Sequence, residues 1–163
     1  MKVKMILPAL EESESLYWRP IKYALFPPLG LATLAGYFSS DDEVVLQDQH
    51  VEKLDLDDTP DLVCIQVYIT NAYRAYKIAD SYRKRGIWVA LGGLHVTSLP
   101  KEAAGYADTL ILGPGEEAFP RFISDFRQHR AEKVYIARER QIKDIPPVRR
   151  DLILFRLSKG NNV

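Results

Sequence analysis

Five short apolar runs recur along the chain, at residues 3–7, 43–46, 62–67, 87–91 and 109–112, and helical patterns separate most of them. Strands buried on both faces read as continuous apolar runs. The alternation therefore predicts an α/β fold, a doubly wound, mostly parallel five-stranded sheet with helices on both faces. Between the third and fourth runs, Ala72, Ala75, Tyr76, Ala79 and Tyr82 fall on one helical face, with Asn71 as a cap and Gly86 as the stop. A first crossover helix follows Pro27-Pro28 over residues 29–38. Residues 51–58 are so few and so acidic that the second crossover reduces to little more than a turn. Ala118, Phe119, Phe122, Ile123 and Phe126 make another apolar stripe. Pro120 is tolerable there only in the first turn, which places the helix start near Glu117. Residues 133–137 offer an extra edge strand. Beyond Arg138 the pattern dissolves into Ile145-Pro146-Pro147-Val148-Arg149-Arg150 and a polar end, so the expected division is a domain over 1–137 and a linker or tail over 138–163, leading to something absent.

Two segments stand out, Leu91-Gly92-Gly93-Leu94-His95-Val96-Thr97 and Leu112-Gly113-Pro114-Gly115-Glu116-Glu117. Each runs from an apolar strand through glycine into a polar turn. In a doubly wound sheet, ligands sit beyond the carboxyl ends of the strands, where helix N-termini and backbone N–H groups converge. Gly92 and Gly93 lack a Cβ and so allow close approach of a bulky ligand; Gly113 and Gly115 allow a tight turn and free amides at the next helix start. Ordinary turn punctuation explains the same glycines. Thr97 and Ser98 are ligand donors or caps of the stretch that opens at Leu99-Pro100, and His95 is a ligand contact or a residue bonded to nearby backbone. Glu116 and Glu117 complement a helix dipole. Gln66, Tyr68, Thr70 and Asn71 bring polar groups to the same edge, as channel lining or as a cap. The long loop over residues 10–28 carries Tyr17, Trp18, Tyr23 and Phe26, an aromatic lid or a packing element.

Composition narrows the function classes. With 163 residues, 47% hydrophobic and 27% charged, the chain suits one globular domain. Lys plus Arg and Asp plus Glu number 22 each, so no overall positive field exists to hold nucleic acid or an anionic membrane. No apolar run approaches the roughly twenty residues of a membrane span, and the start is too short for a signal-peptide core, so a cytoplasmic location is expected. The single cysteine, Cys64, lies in an apolar run and reads as a buried, inert thiol. Phosphotransfer would need an aspartate ending the third strand, where Gln66-Val67-Tyr68 stands instead. No G-x-G-x-x-G, G-x-x-x-x-G-K-[ST] or nucleophile elbow is present, and nothing looks catalytic in isolation.

The order of motifs nevertheless matches something specific. Pro27-Pro28-Leu29-Gly30-Leu31 is followed by Pro60-Asp61-Leu62-Val63-Cys64-Ile65, Arg74-Ala75-Tyr76-Lys77-Ile78-Ala79, Gly92-Gly93-Leu94-His95-Val96-Thr97-Ser98-Leu99-Pro100, Tyr106-Ala107-Asp108 and Gly113-Pro114-Gly115-Glu116-Glu117. The set resembles the N-terminal cobalamin (B12)-binding domain of B12-dependent radical SAM proteins, the group that includes the anaerobic magnesium-protoporphyrin IX monomethyl ester cyclase and many methyltransferases. The resemblance covers nearly the whole chain. It implies a flavodoxin-like sheet with the corrin ring over the carboxyl edge of the strands and the nucleotide tail inserted beside the glycine-ended strands. By analogy Gly92, Gly93, His95 and Thr97 lie along the tail, Gly113, Gly115 and Glu116 form the other wall, and Gln66, Tyr68, Thr70 and Asn71 lie between.

Three departures accompany the likeness. Gln66 stands where these domains often have a small serine-like residue, Pro114 replaces the acid usual in the turn, and the D-x-H-x-x-G signature is missing. Asp48-Gln49-His50 continues to Lys53 and follows the second strand, which makes His50 a surface-loop residue. Radical SAM chemistry needs a C-x-x-x-C-x-x-C site for a [4Fe-4S] cluster, and the chain holds only Cys64. The cluster and S-adenosylmethionine are therefore expected only in an absent downstream domain. The leading expectation is a cobalamin-binding module whose partner in cis is a radical SAM barrel. A non-catalytic interaction or structural module that has lost corrinoid binding is the alternative, and a small enzyme for another phosphate-bearing ligand is a third.

Overall fold

The computed structural model describes residues 1–10, 27–139 and 143–153. Six strands form one all-parallel sheet: β1 (Lys2–Leu7), β2 (Glu43–Asp48), β3 (Leu62–Gln66), β4 (Trp88–Gly92), β5 (Thr109–Leu112) and β6 (Val134–Ile136), in the order β2-β1-β3-β4-β5-β6. The extra edge strand is thus real and pairs in parallel with β5. This is a flavodoxin-like doubly wound sheet, and its order reverses between β1 and β3, where such sheets open a crevice at their carboxyl ends. The aromatic loop bearing Tyr17, Trp18, Tyr23 and Phe26 lies outside the described residues.

Helices α1 (Leu29–Ala35) and α5 (Gly115–Arg127) cover one face of the sheet. The other face carries α2 (Ala72–Arg83) and the short pair α3 (Leu94–Ser98) and α4 (Pro100–Ala103). α2 follows the expected apolar stripe, burying Ala72, Ala75, Tyr76, Ala79 and Tyr82. Between β2 and β3 there is no helix, as the short acidic stretch implies. A buried cation ties that crossover down: Lys4, 1% exposed in the middle of β1, places Nζ 2.7 Å from Asp58 Oδ2 and donates to the Asp55 carbonyl. Tyr82 Oη donates to Asp58 Oδ1 at 2.7 Å, with the Asp55 carbonyl oxygen 3.0 Å away.

Two local expectations change. α5 begins at Gly115, not near Glu117, so Pro120 lies in its second turn. Proline has no N–H to give the carbonyl of Glu116, four residues back. Tyr37 Oη supplies the missing donor at 3.0 Å, a net gain of about 1 kcal/mol, and so lets the helix run through. Thr97 and Ser98 also do not cap a helix at Leu99-Pro100. They form the end of α3, and Leu99 separates it from α4.

Residues 145–153, read from the sequence as linker, fold back along α1. Arg149 N–H donates to the Ala32 carbonyl at 3.0 Å, and Val148, Leu152 and Ile153 pack on the core beneath α1 and α5. No helix among the described residues is long and apolar enough to cross a membrane.

Candidate functional site

A strand with both faces covered alternates its side chains between two layers. On β3 and β4 the alternation separates sizes. Val63, Ile65, Val89 and Leu91 pack toward α2, whereas Cys64 and Ala90 pack toward α1 and α5. Continuing the alternation puts Gln66 and Gly92 on the same side as Cys64 and Ala90, and the parallel register sets Cys64 beside Ala90 and Gln66 beside Gly92. Small side chains across two central strands leave the helices nothing to rest on, and a cavity of about 430 Å³ remains between them and the sheet. That volume lies within the roughly 300–1,000 Å³ typical of small-molecule sites.

The floor of this slot is Cys64, Ala90, Gly92 and Ile111. One wall is α1 through Gly30 and Leu34, the other is the start of α5 through Gly115 and Glu116, and Ile145 and Val148 close it from the returning segment. A second cavity of about 360 Å³ sits at the carboxyl edge over the β1/β3 switch point, lined by Leu7, His50, Gln66, Tyr68, Thr70 and Asn71. Leu29, Gly30 and Gln66 border both spaces. Gln66 stands at the junction, donating from Nε2 to Tyr68 Oη at 2.8 Å.

Of the residues singled out in the sequence, Gly92, Gly93, Gly113, Gly115 and Glu116 border the slot, Tyr68, Thr70 and Asn71 the edge cavity, and Gln66 both. Asn71 has its polar atoms spent on the fold. It is 1% exposed, accepts Tyr68 N–H at 2.8 Å and donates to the Pro8 carbonyl at 2.9 Å, stapling the end of β1 to the end of β3. Gly93 and Gly113 are glycines for backbone reasons. Their φ angles are +114° and +82°, and a Cβ at either would strike main chain, at 2.6 Å from the Val67 carbonyl oxygen or 2.1 Å from that of Ala137. The Gly113 amide is not free: it donates to Thr97 Oγ1 at 3.0 Å, which fastens α3 to the turn before α5. At Gly92, on the slot floor, a Cβ would fit without strain, meeting Ile111 at an ordinary contact distance of 3.4 Å.

His95 faces away from both cavities. Buried under α2, its Nε2 lies 3.1 Å from Tyr76 Oη and 3.1 Å from Glu102 Oε1, while Tyr76 Oη donates to Glu102 at 3.0 Å. With the tyrosine proton given to the carboxylate, Nε2 must carry the proton that fills the remaining contacts. Hydrogen bonds from His95 and Tyr76 hold the Glu102 carboxyl below its ordinary range, and burial pushes the Tyr76 phenol up. His50 is the opposite correction. It is no surface-loop residue: its side chain is only 11% exposed, and Nδ1 donates to Asp48 Oδ1 at 2.8 Å at the edge of the second cavity.

The sequence reading missed Cys64, Ala90 and the 145–148 segment as site elements. The available signal was side-chain size at alternate strand positions: 64, 90 and 92 are all small. Burial pushes the Cys64 thiol pKa up, so the group is neutral. Among the described residues no group of three or more His, Cys, Asp or Glu side chains could hold a metal ion.

A doubly wound parallel sheet with an apolar slot between α1 and α5 and a second cavity at the switch-point edge defines the α/β class of small-molecule-binding domain. Comparison with known proteins gives that class a family. Residues 23–123 match the B12 binding domain, and the chain belongs to that family. It is 34% identical over 122 residues to bacteriochlorophyllide d C-8(2)-methyltransferase of Chlorobaculum tepidum, which covers 74% of this chain and 26% of the relative. It is 30% identical over 146 residues to an uncharacterized methyltransferase of Pyrococcus horikoshii, covering 82% of this chain and 32% of that protein. Bacteriochlorophyllide d C-12(1)-methyltransferase of C. tepidum matches over 77 residues at 32% identity, 47% of this chain and 17% of the relative. The chain thus spans about a third or less of the curated relatives it matches.

Proposed function

We propose that this domain binds cobalamin and presents it to a catalytic domain of a methyltransferase. The observation that carries the reading is the slot itself: an apolar floor of small side chains, an opening at the β1/β3 edge, and family membership that names the ligand class. The slot would take the uncharged benzimidazole ring of the nucleotide tail between Gly92 and the α1 and α5 walls. The edge cavity beside Tyr68 and Thr70 would take the tail's polar atoms, and the corrin ring would lie above. Ile69 and Leu94, 78% and 71% exposed at the ends of β3 and β4, give that ring an apolar rest. Bound cobalamin supplies cobalt-centred carbon transfer; the side chains of this chain bind and orient it. Gln66, Tyr68, Thr70, Gly92, Gly115 and Glu116 are the contacts carried forward, while Gly93, Thr97, Gly113 and Asn71 act by shaping the backbone around them.

The finer reading adds a radical SAM domain in cis, holding a [4Fe-4S] cluster and S-adenosylmethionine, in a cytoplasmic protein. Its support is the family resemblance, together with relatives that are methyltransferases three or more times longer than the stretch matched. Titrating the purified chain with hydroxocobalamin and following the visible spectrum tests the first statement. A saturable change with one equivalent bound is expected, and no change at high micromolar cobalamin overturns it in favour of an interaction module that has lost the corrinoid. Iron and sulfide analysis of the full-length protein tests the second.

A further inference from the structure

The segment at residues 145–153 reaches the slot through Ile145 and Val148, which lie in irregular chain after the last strand. It is nonetheless seated with care. Gly36 follows α1 with ordinary helical angles, φ −66° and ψ −16°, so nothing in the backbone demands glycine there. What demands it is the returning chain: a Cβ on Gly36 would lie 2.7 Å from the Pro147 carbonyl oxygen and 2.9 Å from Pro146 Cβ. Arg149 N–H then donates to the Ala32 carbonyl at 3.0 Å, and Arg149 pairs with Asp151 through Nε and Nη2 at 2.9 and 2.8 Å, holding the strap's turn. On either side of the Pro146-Pro147 anchor, Ile145 and Val148 border the slot whose floor includes Cys64 and Ala90.

We propose that this strap is a binding element: Ile145 and Val148 form the closing wall of the slot, and the Gly36 seat holds that wall in place against an inserted flat, uncharged heteroaromatic ring. The ligand's identity rests on the cobalamin reading above; the strap's place as the wall does not. Two prolines in sequence before Val148 restrict the strap's conformations, so it reaches this position at low entropic cost and presents two apolar side chains to a ring inserted edge first. The slot offers the ring no charge partner except at its rim, which suits a neutral base and disfavours a phosphate.

Cys64 makes a test possible without any ligand, because it is the chain's one cysteine and lies on the slot floor behind the strap. The rate at which methyl methanethiosulfonate, an uncharged reagent, modifies Cys64 reports how open the slot is. Gly36→Leu pushes Pro146 and Pro147 off their seat and is expected to raise that rate about tenfold with the far-ultraviolet circular dichroism unchanged, because a local opening suffices to expose the thiol. Ile145→Trp fills the mouth in place and is expected to slow the modification several-fold. In hydroxocobalamin titrations both variants should lose about tenfold in affinity, the equivalent of roughly 1.4 kcal/mol. Should Gly36→Leu unfold, Ile145→Trp decides alone. Wild-type thiol rates in the folded variants overturn the proposal, as does wild-type cobalamin affinity in Ile145→Trp. If the wild type binds no cobalamin, the functional reading fails by itself, and the thiol rates still decide whether the strap closes the slot.

Discussion

The two faces of the sheet are built from the same strands and each is covered by one long helix, α5 or α2, with shorter ones beside it, yet one is open and the other sealed. Toward α2 the central strands present Val63, Ile65, Val89 and Leu91, and two polar clusters at the margin of this layer, Lys4–Asp58–Tyr82 and His95–Tyr76–Glu102, pair its buried Lys4 and His95 with partly exposed carboxylates. Toward α1 and α5 they present Cys64, Ala90 and Gly92, and a cavity of about 430 Å³ is left. Dense packing is the default in protein interiors, so a void of this size that is not collapsed by its helices needs a reason. Here the reason is side-chain volume at alternate positions of two neighbouring strands. Where an element of secondary structure is missing, as between β2 and β3, the sealed face compensates with an ion pair between buried Lys4 and half-buried Asp58; the open face compensates for nothing and keeps the space.

The largest effect should come from filling that space. Gly92→Val introduces a residue well suited to a strand, with its branch on the slot side next to Ile111. Cobalamin affinity is expected to fall about a hundredfold or more, roughly 2.7 kcal/mol, while the thermal midpoint holds or rises. A variant that still binds at the wild-type level would remove the slot from the site. The equivalent change on the sealed side, Lys4→Met, should do the reverse. It deletes the cation and leaves the Asp58 carboxylate with Tyr82 as donor, so stability should drop by about 2–3 kcal/mol; that is less than for a fully enclosed pair, since the Asp58 side chain is 33% exposed. Chemical denaturation measures the loss, and cobalamin affinity of the folded fraction should be unchanged. If Lys4→Met abolishes binding with little loss of stability, the two faces are not independent.

Much of this was legible in the chain. The five main strands, α2 and the short second crossover follow from apolar runs and periodicity, because burial on both faces leaves a strong local pattern. The carboxyl-edge location of the cavities follows from the topology that pattern implies. What stayed hidden depends on contacts distant in sequence. Nothing near Pro120 announces that Tyr37 will serve the carbonyl it orphans, and so the start of α5 was misplaced. His95 follows the Gly-Gly pair and looks aimed at a ligand, but α3 begins at Leu94 and turns its ring under α2. The strap is a Pro-Pro stretch whose partner, Gly36, lies more than a hundred residues earlier, so it reads locally as linker. Gly93 and Gly113 stand out in the sequence as glycines after strands, but it is positive φ and main-chain contacts that make them glycine, leaving Gly92 as a floor position that could carry a side chain and does not.

The smallest expected effect separates charge from packing on the sealed face. Glu102 accepts hydrogen bonds from Tyr76 Oη and His95 Nε2, and these hold its carboxyl pKa below the ordinary value. A carboxyl whose folded pKa is depressed binds protons more readily in the unfolded chain. Its contribution is therefore complete above the unfolded value of about 4.3 and is lost as the pH falls through the folded pKa. Glu102→Gln keeps the shape and one acceptor but removes the charge. At neutral pH the wild type should melt slightly higher than the variant, and the difference should shrink as the pH is lowered from 6 through the unfolded value of about 4.3 toward the depressed folded one, since the protonated acid and the amide are equivalent. Melting curves across that range, at fixed ionic strength, measure it. A gap that stays constant with pH would assign the cluster's contribution to packing of His95 against Tyr76 and leave the carboxylate charge without a part in closing this face.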